Sequence, residues 1–223
     1  MTERVRFYFD PRCPWCYQTS RWMRHVERAG EVTVTWAVFS LAIANQGDAA
    51  RATSNRSGGP ALRTAVAVRA AHGDEAVGNF YAALGAAAHE RGENVDDPRV
   101  IDAALRSAGV EEAVRMNALA DPSTWEAVQA EHDEVVATHK AFGVPTIVLD
   151  DGKGPAIFGP VIVAVPDEQE AVELWQHTSW LVRNQNFAEL KRERAALPPL
   201  RSVQRESRQQ EVRAAPAGGV LRR

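Results

Sequence analysis

The stretch YFDPRCPWCYQTSRWM, residues 8–23, holds both cysteines of the 223-residue chain, Cys13 and Cys16. Neither has another cysteine to pair with, so they are a reactive dithiol, half of a metal site, or two core thiols. Before them, Val5, Phe7 and Phe9 alternate as a strand with one buried face requires. After them, Trp15, Thr19, Trp22, Met23 and Val26 recur at helical spacing until Gly30 ends the helix. VTVTWAV then alternates again, with Val32, Val34, Trp36 and Val38 on one face. The cysteines therefore stand where a strand hands over to a helix, inside a βαβ unit whose crossover is expected to be right-handed.

With 45% hydrophobic residues, the chain can bury a core without covalent staples. No apolar run has the length needed to span a bilayer, and MTERVRFYFD passes from charge directly into strand pattern without the apolar segment of a signal peptide. The expected location is cytosolic, where thiols stay reduced and a lone pair is catalytic or metal-binding rather than a structural disulfide. A formal net charge of −3 gives no reason to expect nucleic acid or an anionic membrane as partner, and a homo-oligomer stays open. The charge is uneven. Residues 201–223 carry Arg201, Arg205, Arg208, Arg213, Arg222 and Arg223 against Glu206 and Glu211. Following Pro198 and Pro199 and poor in large apolar residues, residues 198–223 read as a basic, solvated tail.

Residues 45–59 are polar and glycine-rich and read as a loop. From Pro60 to about residue 142 the pattern is helical, in four or five pieces whose borders are marked by Asp or Glu, by Pro98 and Pro122, and by glycines. The strand pattern returns at VPTIVLD, and DGKG before AIFG reads as a hairpin turn. PDEQEAVELWQHTSWLV and then NFAELKRERAAL read as two helices. The layout is an α/β domain of residues 1–59 and 143–197, interrupted by a helical domain of residues 60–142 and followed by the tail.

A CxxC pair at a helix start supplies what disulfide exchange needs. The free N–H groups and positive dipole end favour a Cys13 thiolate and a depressed pKa, while Cys16, one turn on, is the more buried resolving thiol. Pro14 holds the first turn rigid. Trp15 either presents an aromatic face beside the sulfur or joins the helix stripe. Asp10 is either a proton acceptor for Cys16 or a turn residue before Pro11. Zinc would need two further ligands, and the nearest histidines, His132 and His139, lie two helical turns apart; individually they read as helix-surface residues. No nucleotide or flavin fingerprint is present.

CPWC opening a helix after the first strand, with VPT opening the strand after a helical insert, resembles the thioredoxin superfamily and its DsbA-like branch. FDPRCPWCYQTSRW, FSLAIAN, GVPTIVLD, FGPV, ELWQHTS and FAELKR together are similar to the mycothiol-dependent reductases, also described as mycothiol-dependent nitroreductases. That resemblance implies a thioredoxin-like fold with a helical insert and no tightly bound cofactor. It implies the low-molecular-weight thiol mycothiol as reductant and a small oxidised or nitro compound, or a mixed disulfide, as substrate. It makes Cys13 the nucleophile and Cys16 the resolving thiol, puts Pro145 in cis beside them, and lines the substrate site with Pro14, Trp15, Asn45, Val144 and Thr146. The chain departs from the group in the polar segment 46–59, which lacks an aromatic residue, and in its basic tail. The competing readings are a general DsbA-like protein dithiol oxidase or isomerase and a redox-switched holdase or sensor.

Overall fold

Strand β1 (Glu3–Phe9) lies inside a sheet of order β2–β1–β3–β4, in a computed structural model that describes residues 2–53, 58–193, 196–205 and 207. Its partner β2 (Val32–Val38) runs parallel, from Glu3 opposite Val32 to Phe9 opposite Val38. Helix α1 (Pro14–Arg28) makes the crossover between them. On the other side, β3 (Thr146–Val148) pairs antiparallel with β1, and β4 (Ala156–Phe158) antiparallel with β3. The alternation expected of β1 is realised, since Val5, Phe7 and Phe9 are wholly buried. Between β3 and β4 the chain turns over Leu149–Gly152, where Asp150 and Asp151 take positive φ of 52° and 59°. Aspartate tolerates that region better than most side chains, and Arg183 donates to the Asp150 carboxylate at 2.9 Å.

The segment after β2 is more regular than its polarity suggests. α2 (Leu41–Gln46) is capped by Ser40, whose hydroxyl accepts from the Ile43 N–H at 3.2 Å, and the short α3 (Asp48–Arg51) follows. Asn45 and Gln46 therefore belong to a helix, not to a loop, because FSLAIAN carries its own cap and buries Ala42 and Ile43.

The helical block follows. α4 (Gly59–Gly85) breaks at Gly73, with φ 82°, and runs on into a π-helical turn at Ala86–Arg91. α5 (Pro98–Ser107), α6 (Ala113–Ala120) and α7 (Ser123–His139) complete it. Two contacts tie the block to the sheet. Glu131 of α7, paired with Arg69 of α4, accepts from the Val38 N–H at 2.9 Å on the free edge of β2. Helix α4 also lies close enough that a Cβ at Gly78 would come within 2.6 Å of the Trp36 indole nitrogen, and one at Gly85 would strike the Tyr17 ring. His132, expected on the surface of α7, is buried instead with its ring 4.4 Å from that of Phe39, because α7 packs that side against the end of β2.

α8 (Glu168–Arg183) starts at Asp167, whose side chain accepts from the Glu170 N–H, and covers α1 through Trp22, whose indole donates to the Ala171 carbonyl at 3.0 Å. NFAELKRERAAL does not continue as a second helix over its described residues. Leu190 is 81% exposed, and a short helix with nothing to bury does not sustain itself. The start of the expected solvated tail is structured. Leu200 and Val203 form the apolar side of a helical turn and are buried against Tyr17 and Ala86. Residues 208–223 lie outside the described residues.

Gly85→Ala removes a helix-interior glycine, a change that alone favours the helix by about 1 kcal/mol. The collision with Tyr17 is expected to outweigh this and to destabilise the fold by about 1–3 kcal/mol in urea unfolding.

Candidate active site

Cys13 is the N-cap of α1. Its Sγ accepts the Cys16 N–H at 3.3 Å, so the sulfur does at this helix end what a Ser or Asp oxygen usually does. That bond strengthens as the sulfur gains charge, and the helix dipole acts in the same sense. The Cys13 sulfur is half-buried and lies 3.7 Å from the Val144 carbonyl. The Val144–Pro145 peptide bond is cis. This second wall is braced by the FGPV segment: the Gly159 N–H donates to the Pro145 carbonyl at 2.8 Å, and Thr19 of α1 donates to the Pro160 carbonyl at 2.8 Å.

Cys16 is fully buried, with its Sγ 3.7 Å from the Tyr8 carbonyl. Burial first, and the neighbouring Cys13 sulfur second, push its thiol well above the ordinary cysteine value. The two thiols are thus differentiated by depth, as their helical spacing implies, and no disulfide joins them.

Asp10 is buried at the end of β1 and takes the turn role raised by its position. One carboxylate oxygen accepts the Arg12 N–H and the other the Leu41 N–H, each at 2.8 Å, so it builds the CPWC turn and anchors α2. Burial nevertheless raises its pKa to about 6, since two backbone donors only partly offset the lost water.

Pro14 and Trp15 are half-buried on the first turn of α1. Asn45 lies exposed on α2. Pro145 and Val144 are buried beside Cys13, and the Thr146 hydroxyl is turned inward, donating to the Gly143 carbonyl at 2.7 Å. Any contact of Thr146 with a ligand therefore runs through its backbone. Among the described residues, no group of three or more His, Cys, Asp or Glu side chains is placed to hold a metal ion.

Two participants carry no sequence motif. His89 donates from Nε2 to the Pro11 carbonyl at 2.9 Å, because a carbonyl can only accept, and its Nδ1 then accepts from the Ser202 hydroxyl at 2.9 Å. The imidazole must be neutral for this, and burial lowers its pKa to about 4. Tyr81 of α4 is fully buried, with its hydroxyl facing Cys16. A clue to Tyr81 stood in GNFYAALG: Gly78, Tyr81 and Gly85 share one helix face, two of them without side chains to keep the third away from the sheet.

Residues 12–192 match the family described as Rv2466c-like, Mycothiol-dependent nitroreductase Rv2466c. The chain belongs to this family. A Mycobacterium tuberculosis relative, described as Uncharacterized protein Rv2286c, is 35% identical over 191 residues, covering 84% of this chain and 81% of the relative. Among solved structures, the cytosolic disulfide reductase DsbM from Pseudomonas aeruginosa is similar with a TM-score of 0.58 at 15% identity, over 80% of this chain and 99% of that one. The oxidoreductase DsbA from Xylella fastidiosa is similar with a TM-score of 0.53 at 20% identity, over 84% and 88%. These structures establish the DsbA-like thioredoxin fold, and the family makes the chain an oxidoreductase. No helix among the described residues is long and apolar enough to cross a membrane.

Asp10 and His89 have opposite effects on stability in acid. Asp10 binds a proton more readily folded than unfolded, so it favours the fold increasingly as pH falls from about 6 to 3.8. His89 binds one less readily folded, so it disfavours the fold as pH falls from 6.5 to about 4. Each displacement is worth about 3 kcal/mol at full extent, so in the native chain the two nearly cancel. In urea titrations at pH 6.5 and 4, Asp10→Asn is expected to lose stability relative to the native chain on acidification, and His89→Gln to gain it.

Proposed function

We propose that the chain is a cytosolic thiol-disulfide oxidoreductase in which Cys13 attacks, Cys16 resolves and mycothiol restores the dithiol. The observation that carries this is the Cys13 sulfur at the N-cap of α1, accepting an amide N–H beside the Val144–Pro145 turn. A thiolate in that place is stabilised before any substrate arrives. It attacks a substrate disulfide, forms a mixed disulfide on Cys13 and expels the first substrate thiolate. Cys16 then loses its proton to the Asp10 carboxylate, directly or through water, and displaces the second thiolate as the Cys13–Cys16 disulfide closes. Two mycothiol molecules return the two electrons and leave as mycothiol disulfide. A nitro compound as oxidant draws on the same two-electron dithiol.

In this reading Pro14, Trp15 and Asn45 border the substrate, Pro145 closes the other side, and the backbone of Val144 and Thr146 pairs with an extended ligand. A second reading, a protein dithiol oxidase of the DsbA-like kind, is favoured by an exposed aromatic pair. Phe142 and Phe158, 72% and 39% exposed with ring centroids 4.7 Å apart, flank the turn at Pro145 and would suit apolar side chains of an unfolded polypeptide.

The test is to mix oxidised protein with mycothiol and, separately, with glutathione, and to follow reduction by tryptophan fluorescence and intact mass. Reduction by mycothiol is expected, with a mycothiol adduct on Cys13 trapped in Cys16→Ser. If neither thiol reduces the protein or adds to Cys13, while a reduced unfolded polypeptide does reduce it, the small-thiol reading falls and the protein oxidase stands.

A further inference from the structure

Tyr81 is a buried tyrosine whose hydroxyl finds no hydrogen-bond partner at good geometry among the described residues. Burying an unpaired phenol costs free energy, so a hydroxyl left orphaned beside a reactive sulfur calls for a state in which it is satisfied. The ring has no freedom to seek a partner elsewhere. It stacks on Phe9 with centroids 4.0 Å apart and is tilted against Trp36 at 5.7 Å, while Gly78 and Gly85 let that face of α4 settle onto the sheet. Held in this way, the hydroxyl faces Cys16 and Ser20. Ser20 already donates to the Tyr17 carbonyl at 2.7 Å, and the Cys16 thiol directs its proton to the Tyr8 carbonyl. The Ser20 oxygen could still accept but does not meet the phenol at hydrogen-bonding geometry, and a neutral thiol is a weak acceptor, so in the dithiol the phenol O–H is left without a strong partner.

We propose that Tyr81 donates a hydrogen bond to the Cys16 sulfur as that sulfur becomes a thiolate, so that the inserted helix α4 supplies a group that assists resolution. This rests on the reading of Cys13 and Cys16 as attacking and resolving thiols. In the step concerned, Cys16 gives its proton to the Asp10 carboxylate and the Tyr81 O–H turns toward the new charge. The Cys16 thiolate then attacks the Cys13 sulfur, the bond from Cys13 to the substrate sulfur breaks, and the substrate leaves as thiolate with that electron pair. The phenol keeps its proton throughout. Its own ionisation is suppressed by burial first and by the nearby Cys16 sulfur second, so it remains a donor across the working pH range. A donor without charge suits this place, because a buried Lys or Arg would need its own counterion while the thiol is neutral.

The test is a stopped-flow reaction of the reduced protein with 5,5′-dithiobis(2-nitrobenzoate), which releases one thionitrobenzoate when Cys13 attacks and a second when Cys16 resolves. For Tyr81→Phe, the first phase is expected to stay within twofold of the native rate. The second is expected to slow about tenfold near pH 7 and to need a higher pH, the usual size of effect for losing one hydrogen bond to a charged group. Urea stability should be unchanged or higher, since the orphaned hydroxyl is gone. 3-Fluorotyrosine at position 81, a stronger donor of nearly equal volume, should keep the second phase and move its pH profile downward. A Tyr81→Phe second phase equal to the native one from pH 6 to 9 overturns the inference, as does an unmoved profile for the fluorotyrosine protein, which carries the test if Tyr81→Phe does not fold. Failure of the underlying reading looks different: the native protein itself would release only one equivalent, as Cys16→Ser is expected to.

Discussion

A carboxylate with no exposed surface sits at the end of the central strand and accepts two backbone N–H groups, from Arg12 and Leu41. Most of the site's geometry follows from where Asp10 is held. Its bond to Arg12 shapes the turn that delivers Cys13 to the N-cap of α1, and its bond to Leu41 draws the start of α2 to the same point. The Asp10 carbonyl also accepts the Cys13 N–H at 3.0 Å. Such a group is costly to bury, and two neutral donors do not fully replace water, so its pKa stays raised. The residue that builds the turn is thereby also suited to proton exchange.

The compensating group lies on the next residue's carbonyl. His89, held neutral by the same burial, grips Pro11 from the helical block and is gripped in turn by Ser202 from the end of the described chain. The redox turn is thus fixed from three directions: its own strand, the inserted helices, and the returning C-terminal segment. None of these contacts involves the Cys13 sulfur, which accepts the amide N–H of Cys16 and lies beside the carbonyl of Val144.

Much of this was legible in the sequence where local signals and periodicity agree. CPWC between an alternating and a helical pattern gives the first βαβ unit, and VPT after the long helical stretch marks the return of the sheet. The borders of the inserted helices could be read because Gly73, Asp97 and Pro98 act through the backbone, without reference to what lies across the fold. The misreadings concern residues whose structure is decided by distant contacts. Leu200 and Val203 look too sparse to order a segment until Tyr17 is placed beneath them. Leu190 looks like part of a helix face, and nothing arrives to cover it. His132 has a polar side chain on a helix, and only the packing of α7 against Phe39 buries it. Tyr81 and His89 escaped notice for the same reason, since the groups their polar atoms face lie 61 or more positions away in the chain.

That dispersion bears on how the protein matures. Cys13, Tyr81, Val144 and Ser202 come from four widely separated parts of the sequence, and contacts of such long separation form slowly because the intervening chain must first be closed into loops. The dithiol is made early in synthesis, and the elements that shelter Cys16 follow much later. Protection of Cys16 against an alkylating agent therefore records not the presence of the motif but the completion of the fold, making the buried thiol a built-in chronometer of assembly.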